Sequence, residues 1–427
     1  MTTLTHTPAP ASARGLLHNR WFQLLISLIC MMTISSPQYV WTLFTKPLST
    51  KLGAPLSELQ VTFSILIVLQ TFFSPFQGGL IERFGARWLI SIGTLMSGLS
   101  WILASHANSI GALYLTYGLF GGLGTGIVYI GVVGQMVRWF PDRRGFAVGM
   151  VAAGYGMGAI VTTFPIASAL VDLGLDRTLW QFGLAFALVG VLASQALRSP
   201  AHAHAPAETQ HTPQVTGRDL APRQMLRQPL FWLMFCMMSM MSTSGLMVTS
   251  QMASFSRDFG VANVMVFGLA ALPLALTIDR LTNGLTRPFF GWISDRYGRE
   301  NTMFFAFALE GIAMALWLLT RENAVLFILL SGVVFFGWGE IFSLFPSTLT
   351  DTFGTRYATA NYGWLYISQG IGSILGGPIA ALMHEKTGSW HPVFGTAIAL
   401  DITAAVLALV VLKPRRQRYL ARSAAKA

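Results

Sequence analysis

The sequence predicts an all-α membrane protein with twelve transmembrane helices in two pseudo-symmetric six-helix bundles. Three observations lead there: a composition suited to lipid, the number of apolar windows, and a loop motif that recurs in the second half. Of 427 residues, 53% are hydrophobic and 11% are charged, with a mean hydropathy of +0.57. Soluble chains carry roughly 25% charged residues. Cys30 and Cys236 both lie in apolar runs, so neither a disulfide framework nor a metal cluster is expected.

Windows long enough to cross a hydrocarbon core, about 20 residues each, fall near 21–45, 58–81, 88–106, 110–137, 145–170 and 177–197. Six more follow near 229–255, 263–293, 302–320, 324–350, 357–383 and 391–412. The polar segment 1–20 precedes an apolar stretch that continues too far for a cleaved signal peptide, and reads as a cytoplasmic tail. Residues 21–197 and 229–412 form the two bundles. Between them, 198–228 is rich in Pro, Ala, His and Gln and reads as a flexible cytoplasmic loop; His202, His204 and His211 have no ligand spacing. The basic segment 413–427 is a second cytoplasmic tail.

The net charge of +11 is explained by topology. Of 28 Lys and Arg, Lys46, Lys51, Arg177, Arg257, Arg321 and Lys386 fall on one side, and Arg280 and Arg287 fall inside a span. The remaining twenty lie on the other side. Positive loops face the cytoplasm, so both termini and the central loop are expected there, in the plasma (inner) membrane. No nucleic-acid partner is needed to account for the charge.

The segments "GGLIERFGAR" (78–87) and "GWISDRYGRE" (291–300) share Gly, an acid, Arg and Gly at one spacing, 213 residues apart. Each follows the second helix of its half. "WFPDRRG" (139–145) and "TFGTRYA" (352–358) echo one another at the same offset. Parallel repeats of this kind build carriers whose site lies at the midplane between the halves. Gly78, Glu82, Arg83, Gly85, Gly291, Asp295, Arg296 and Gly298 are therefore expected to be gating elements. Their glycines would allow close helix approach, and their acids would latch one conformation.

The doubled loop resembles the signature of the major facilitator superfamily. "RWFPDRRGFAVGMVAAGYGMG" (138–158), "NGLTRPFFGWISDRYGR" (283–299) and "FFGWGEIFSLFPSTLTDTFG" (335–354) resemble its oxalate:formate antiporter family, related to the monocarboxylate transporters. The similarity runs from about Leu16 to the end of the twelfth helix. It implies secondary transport of small carboxylates by alternating access, with no cofactor. The partners expected are small organic anions and the lipid bilayer, with the chain acting as a monomer.

Arg280 and Arg287 are seven residues apart, about 20° from eclipsed on a helix, with a rise of about 10.5 Å. Asn283 and Gly284 lie on the same stripe. Such a stripe must face the bundle interior, because lipid would leave both guanidinium groups unpaired. The resemblance implies that Arg287 is the main anion ligand, and chemistry agrees: a guanidinium grips a carboxylate with two parallel hydrogen bonds. Asn283 stands where proton-coupled relatives carry Asp, and Gln369 stands where dicarboxylate exchangers carry Lys. Gln38, Tyr39, Tyr129, Tyr155 and Trp338 match cavity-lining positions and would complete a chamber, although each also suits ordinary packing in a membrane helix. For Arg280, Glu340 is the better partner candidate, since adjacent helical residues such as Asp279 do not face one another. Two readings stay open: a structural Arg280–Glu340 pair, or Arg280 as a second cation for substrate. Glu310 and Asp401 each stand alone on an apolar helix, without an assigned role. The Met-rich run 234–242 reads as packing rather than a metal path.

A monocarboxylate transporter of the lactate or pyruvate type is the nearest alternative. A drug or cation exporter on the same fold is a weaker one, because Arg287 argues against a cationic cargo. No HExxH, GxSxG or P-loop motif occurs, so neither an intramembrane enzyme nor a nucleotide-driven pump is expected.

Overall fold

The apolar windows form twelve helical rods in the computed structural model, which describes residues 16–140, 144–199, 219–354 and 357–424. We number them in chain order. Rod α1 is Arg20–Tyr39 continued, after a 45° bend, by Trp41–Leu52. Rod α2 is Leu56–Phe72 continued by Ser74–Phe84. Next come α3 Ala86–Ser105, α4 Ile110–Met136, α5 Ala147–Asp172 and α6 Leu175–Gln195. The second half holds α7 Pro229–Asp258, α8 Ala271–Tyr297, α9 Arg299–Leu319, α10 Ala324–Phe353, α11 Ala360–Thr387 and α12 His391–Ser423.

Among the described residues, nine of these helices are by themselves long and apolar enough to cross a membrane, or ten counting bent α1 as one span. The two others are informative. Rod α2 is interrupted at Phe73, ahead of Pro75. Rod α8 has the length, at 27 residues, but Asp279, Arg280, Asn283 and Arg287 lower its hydropathy. The helix that carries the polar stripe is thus the one a hydropathy criterion misses.

Packing repeats with a shift of six helices. The pairs α3–α6, α3–α4, α2–α4 and α1–α5 recur as α9–α12, α9–α10, α8–α10 and α7–α11. Across the halves, α2 lies against α11 and α5 against α8, two contacts that the pseudo-twofold exchanges. Small residues permit this closeness. A Cβ on Gly98 would stand 2.5 Å from the Gly183 carbonyl oxygen, and one on Gly124 would stand 2.7 Å from that of Gly93.

One expectation changes, and two segments gain structure. The window 263–293 does not begin as helix: Met265–Val266 and Leu269–Ala270 pair as a short antiparallel hairpin (β1 and β2), turned by Phe267 and Gly268 at φ 54° and 81°. Val261, Val264 and Val266 give this segment the hydropathy of a helix, but β-branched residues suit a strand. The C-terminal basic segment is helical to Ala424, and Arg416 ties it to Glu300 Oε1 and Thr352 Oγ1, both at 2.8 Å. The end of the central loop is also fastened. Pro222–Met225 forms one helical turn, and Leu220 bonds the Phe353 carbonyl and the Asn361 side chain. Residues 200–218 lie outside the described residues.

Candidate functional site

Breaks in the rods bring polar groups to one level. Rod α1 breaks at Ile34–Ser35 and again at Val40, around Pro37, so Gln38 and Tyr39 sit in a single helical turn between two breaks. Rod α5 approaches α8 through Gly156, where a Cβ would stand 2.5 Å from Asn283 Oδ1. At Gly284 a Cβ would strike the Met157 side chain.

Arg287 is 1% exposed. Its Nη1 donates to the Ala152 carbonyl at 2.5 Å, and its Nη2 donates to Asn283 Oδ1 at 2.9 Å and to the Tyr39 hydroxyl at 3.5 Å. The guanidinium carbon lies 4.5 Å from the Phe342 ring centre. Every one of these contacts is neutral. Its Nε has no hydrogen-bond partner among the described residues, nor does Asn283 Nδ2.

Aromatic rings close around this group. Tyr155 is 5.4 Å from both Tyr39 and Tyr129, ring centre to ring centre, and Tyr129 stacks on Tyr366 at 5.3 Å. The Tyr155 hydroxyl donates to Gln38 Oε1 at 2.6 Å. Gln70 Nε2 donates to the Tyr366 hydroxyl at 3.2 Å. Gln369 is buried with neither side-chain atom bonded, and Trp338 is buried with its indole N–H unbonded, among the described residues. Water is thus largely excluded, which strengthens any charge contact made here.

The structure brings Arg287, Asn283, Gln38, Tyr39, Tyr129 and Tyr155 into one cluster, with Trp338 behind Phe342 at 5.6 Å. Sequence reasoning missed Phe342, Gln70, Tyr362 and Tyr366. A signal existed for two of them: Tyr362, Tyr366 and Gln369 recur at a spacing of four and three, one face of α11.

Arg280 departs from expectation. It does not pair with Glu340. Its guanidinium is held between the Tyr39 and Phe335 rings, 4.3 Å from each centre, and Nη2 is 4.0 Å from Asp279 Oδ2. The reason is register. Gly339, next to Glu340, packs on Asn283 and Thr286, about a turn along α8 from Arg280. Both Glu340 oxygens lack a hydrogen-bond partner among the described residues.

The loop glycines also need correction. A Cβ on Gly78 would meet nothing within 4 Å, and one on Gly291 would meet only Ser343 Cβ at 4.0 Å, so close approach is not their role in this conformation. Gly85 and Gly298 matter for another reason: φ values of 86° and 90° end α2 and α8 in a conformation that suits glycine. Arg296 lies over the Trp292 ring at 4.5 Å. The side chains of Glu82, Arg83 and Asp295 lie outside the described residues.

Seven described hydrogen bonds join the halves. Three lie at the level of Arg287: its own to Ala152 and Tyr39, and Gln70–Tyr366. The other four run from there toward the Leu52 end. They are Ser64–Ser373 at 2.7 Å, Gln60–Ser250 at 2.8 Å, Thr42–Ala253 at 2.9 Å and Ser57–Glu385 at 2.9 Å. That end of the bundle is hydrogen-bonded shut. A surface cleft of about 630 Å³ between Lys46, Asp176 and Arg177 lies on it, away from Arg287.

Comparison with known proteins agrees with this architecture. The Major Facilitator Superfamily profile matches residues 24–281 and 272–427. The oxalate:formate antiporter of Oxalobacter formigenes is 33% identical over 414 residues, 97% of this chain and 96% of that protein. Monocarboxylate transporter 13 of Bos taurus is 24% identical, over 80% of this chain and 78% of its own. In fold, the chain matches a crystal structure of the nucleoside transporter NupG with a TM-score of 0.70 at 15% identity, over 92% of this chain and 99% of that one. The chain is therefore a transporter and not an enzyme, a multi-pass membrane protein that belongs to the major facilitator superfamily and, within it, to the oxalate:formate antiporter family.

Proposed function

We propose that the chain exchanges small carboxylates of the oxalate and formate type by alternating access, with Arg287 as the principal anion ligand. One observation carries this: a buried guanidinium whose described hydrogen bonds all go to neutral groups, with its Nε unbonded among the described residues. A buried cation is costly unless it is paired, and a carboxylate cargo supplies the missing charge. Asn283 and Tyr39 hold the guanidinium plane, and the tyrosine wall excludes water. Closure at the Leu52 end is one of the two states that alternating access requires.

The basic loops support an orientation with both termini cytoplasmic, in the inner membrane. The chamber lies within one chain, which supports a functional monomer; no nucleic-acid partner is invoked. A second reading rests on Gln369: an amide rather than a cation on α11 suits a single carboxylate, so a monocarboxylate cargo competes with oxalate.

The test is uptake of labelled oxalate by proteoliposomes preloaded with formate, oxalate, lactate or nothing. Uptake that requires internal oxalate or formate supports the proposal. Lactate as the sole effective counter-substrate favours the second reading, and uptake indifferent to the contents removes exchange altogether.

A further inference from the structure

Glu310 and Asp401 are 91 residues apart in sequence, yet the fold joins them. Ser244 of α7 places its hydroxyl oxygen 2.8 Å from Asp401 Oδ2 and 3.4 Å from Glu310 Oε1. The helices meet on glycine. A Cβ on Gly311 would stand 3.2 Å from Asp401 Cβ, and one on Gly337 would stand 2.8 Å from Glu310 Cβ. Three residues after Gly337 comes Glu340. All three acids are fully buried.

Glu340 is an independent observation. It stands on a different helix from the Ser244-linked pair and interacts electrostatically with both acids. Neither of its carboxyl oxygens has a hydrogen-bond partner among the described residues; nor do Glu310 Oε2 and Asp401 Oδ1. Ser244 adds a geometric argument. A hydroxyl has one hydrogen, so it can donate to only one of its two carboxyl neighbours. The second contact becomes a hydrogen bond only when an acid brings a proton.

Among the described residues, no cation forms an ion pair with any of the three acids. From α7 comes the Ser244 hydroxyl, and from α9 the Met314 sulfur, 3.9 Å from it. From α10 come Glu340 and the unbonded Trp338 indole, which packs on Gly245. From α8, Arg287 acts on Glu340 but is already held by Ala152 and Asn283, and Arg280 pairs loosely with Asp279. The α11 residue Gln369 is neutral. Other charged residues of α9 and α12, such as Arg299, Glu300 and Lys413, lie at the helix ends. No group of three His, Cys, Asp or Glu is placed to hold a metal among the described residues.

We propose that Glu310, Asp401 and Glu340 form a proton-binding site in the C-terminal half, and that carboxylate binding at Arg287 is linked to its protonation. If these acids and Asp279 were all ionised, four negative charges would face two arginines, and an anion would be repelled. Protons on the three leave one net positive charge facing the chamber. Anion affinity therefore falls as pH rises through the range where the cluster loses its protons. The linkage rests on the carboxylate reading above; the proton site itself does not.

The test uses full-length protein in two measurements. Infrared difference spectra across a pH titration read protonated buried carboxyls directly, without substrate. Exchange in proteoliposomes across the same pH range reads the linkage. For wild type we expect carboxyl bands that titrate, and oxalate affinity that drops up to about tenfold per pH unit for each linked proton above the transition. Glu310→Gln/Asp401→Asn should lose the share of those bands that belongs to the two acids, keep that of Glu340, and make the dependence shallower than in wild type. Unchanged bands and slope in the double variant overturn the proposal. Titrating bands without any carboxylate exchange would retire the carboxylate reading and leave the proton site standing. Exchange without titrating bands would do the reverse. If the double variant fails to insert, Ser244→Ala is the substitute: it removes only the shared hydroxyl, so the bands must shift, and bands identical to wild type overturn the site.

Discussion

The two halves share a scaffold but divide the chemistry. Among the described residues, every buried charged side chain (Asp279, Arg280, Arg287, Glu300, Glu310, Glu340 and Asp401) belongs to the C-terminal half. The N-terminal half faces them with amides and phenols: Gln38, Tyr39, Gln70, Tyr129 and Tyr155. The loop-motif offset of 213 residues makes the contrast residue by residue. "SPF" at 74–76 corresponds to "RPF" at 287–289, and Gln70 corresponds to Asn283. Ser74 merely bonds its own helix, at the Gln70 carbonyl, whereas Arg287 reaches across to the other half. Both halves keep the proline and an amide five residues before it. Only one half carries the charge. On the proposed function, a neutral wall and a charged wall would let the anion bind chiefly to one bundle while the other rocks over it.

The largest effect should come from the charged wall. Arg287→Lys keeps the charge but loses the planar two-point grip and the bridge to both Ala152 and Asn283. A loss on the order of 1.5–3 kcal/mol slows carboxylate exchange by roughly tenfold to a hundredfold. Uptake by normally inserted protein in proteoliposomes measures this. Exchange equal to wild type would remove Arg287 from the site and, with it, the asymmetry argued above.

The sequence made the scaffold and the charged stripe legible, for reasons of period and composition. Apolar runs give rods, a doubled loop gives two halves, and seven residues on a helix put Arg280 and Arg287 on one side. What it left hidden depends on which helices meet and at what height. Glu310 and Asp401 looked solitary because nothing local in either helix points to the other. By sequence Glu340 is the better partner candidate for Arg280, but register along α8 places Gly339 beside Asn283. The hairpin before α8 was hidden because valine is equally apolar in a strand and in a helix. Tyr366 could have been found from its spacing to Gln369.

A smaller effect is expected where the walls touch. Gly156 is the contact point: an Ala there brings a Cβ within 2.5 Å of Asn283 Oδ1 and 3.3 Å of Arg287 Nη2. Overpacking of this kind costs about 1–3 kcal/mol, and the tilt of Asn283 should fall mainly on substrate affinity. We expect a rise of about tenfold in KM for oxalate, with correct insertion. Gly149→Ala, two turns earlier on the same rod, is the control, since a Cβ there meets nothing within 4 Å. Equal kinetics for the two variants would mean that α5 does not position the α8 ligands.

The smallest expected effect concerns how much charge the chamber offers. Gln369 is buried on α11, with both side-chain atoms unbonded among the described residues, so it can accept a new partner without breaking an old one. Gln369→Lys adds a second accessible cation to the charged wall, and a dianion gains more from it than a monoanion does. Arg280 is the native candidate for that second cation. All three of its side-chain nitrogens lack hydrogen bonds, yet it is held between Tyr39 and Phe335, which restricts its reach. If Arg280 already serves the second carboxylate, Arg280→Gln lowers the oxalate-to-formate preference and Gln369→Lys restores it in that background. A net difference of about 1 kcal/mol, the worth of an ordinary hydrogen bond, corresponds to a shift of roughly fivefold. If Arg280 is structural, Arg280→Gln leaves the preference alone and Gln369→Lys raises it by the same factor in either background. Competition of oxalate and formate for uptake separates the two. A preference identical in wild type and all three variants would mean that the charged wall selects for charge sign alone, and that the number of carboxylates is set elsewhere.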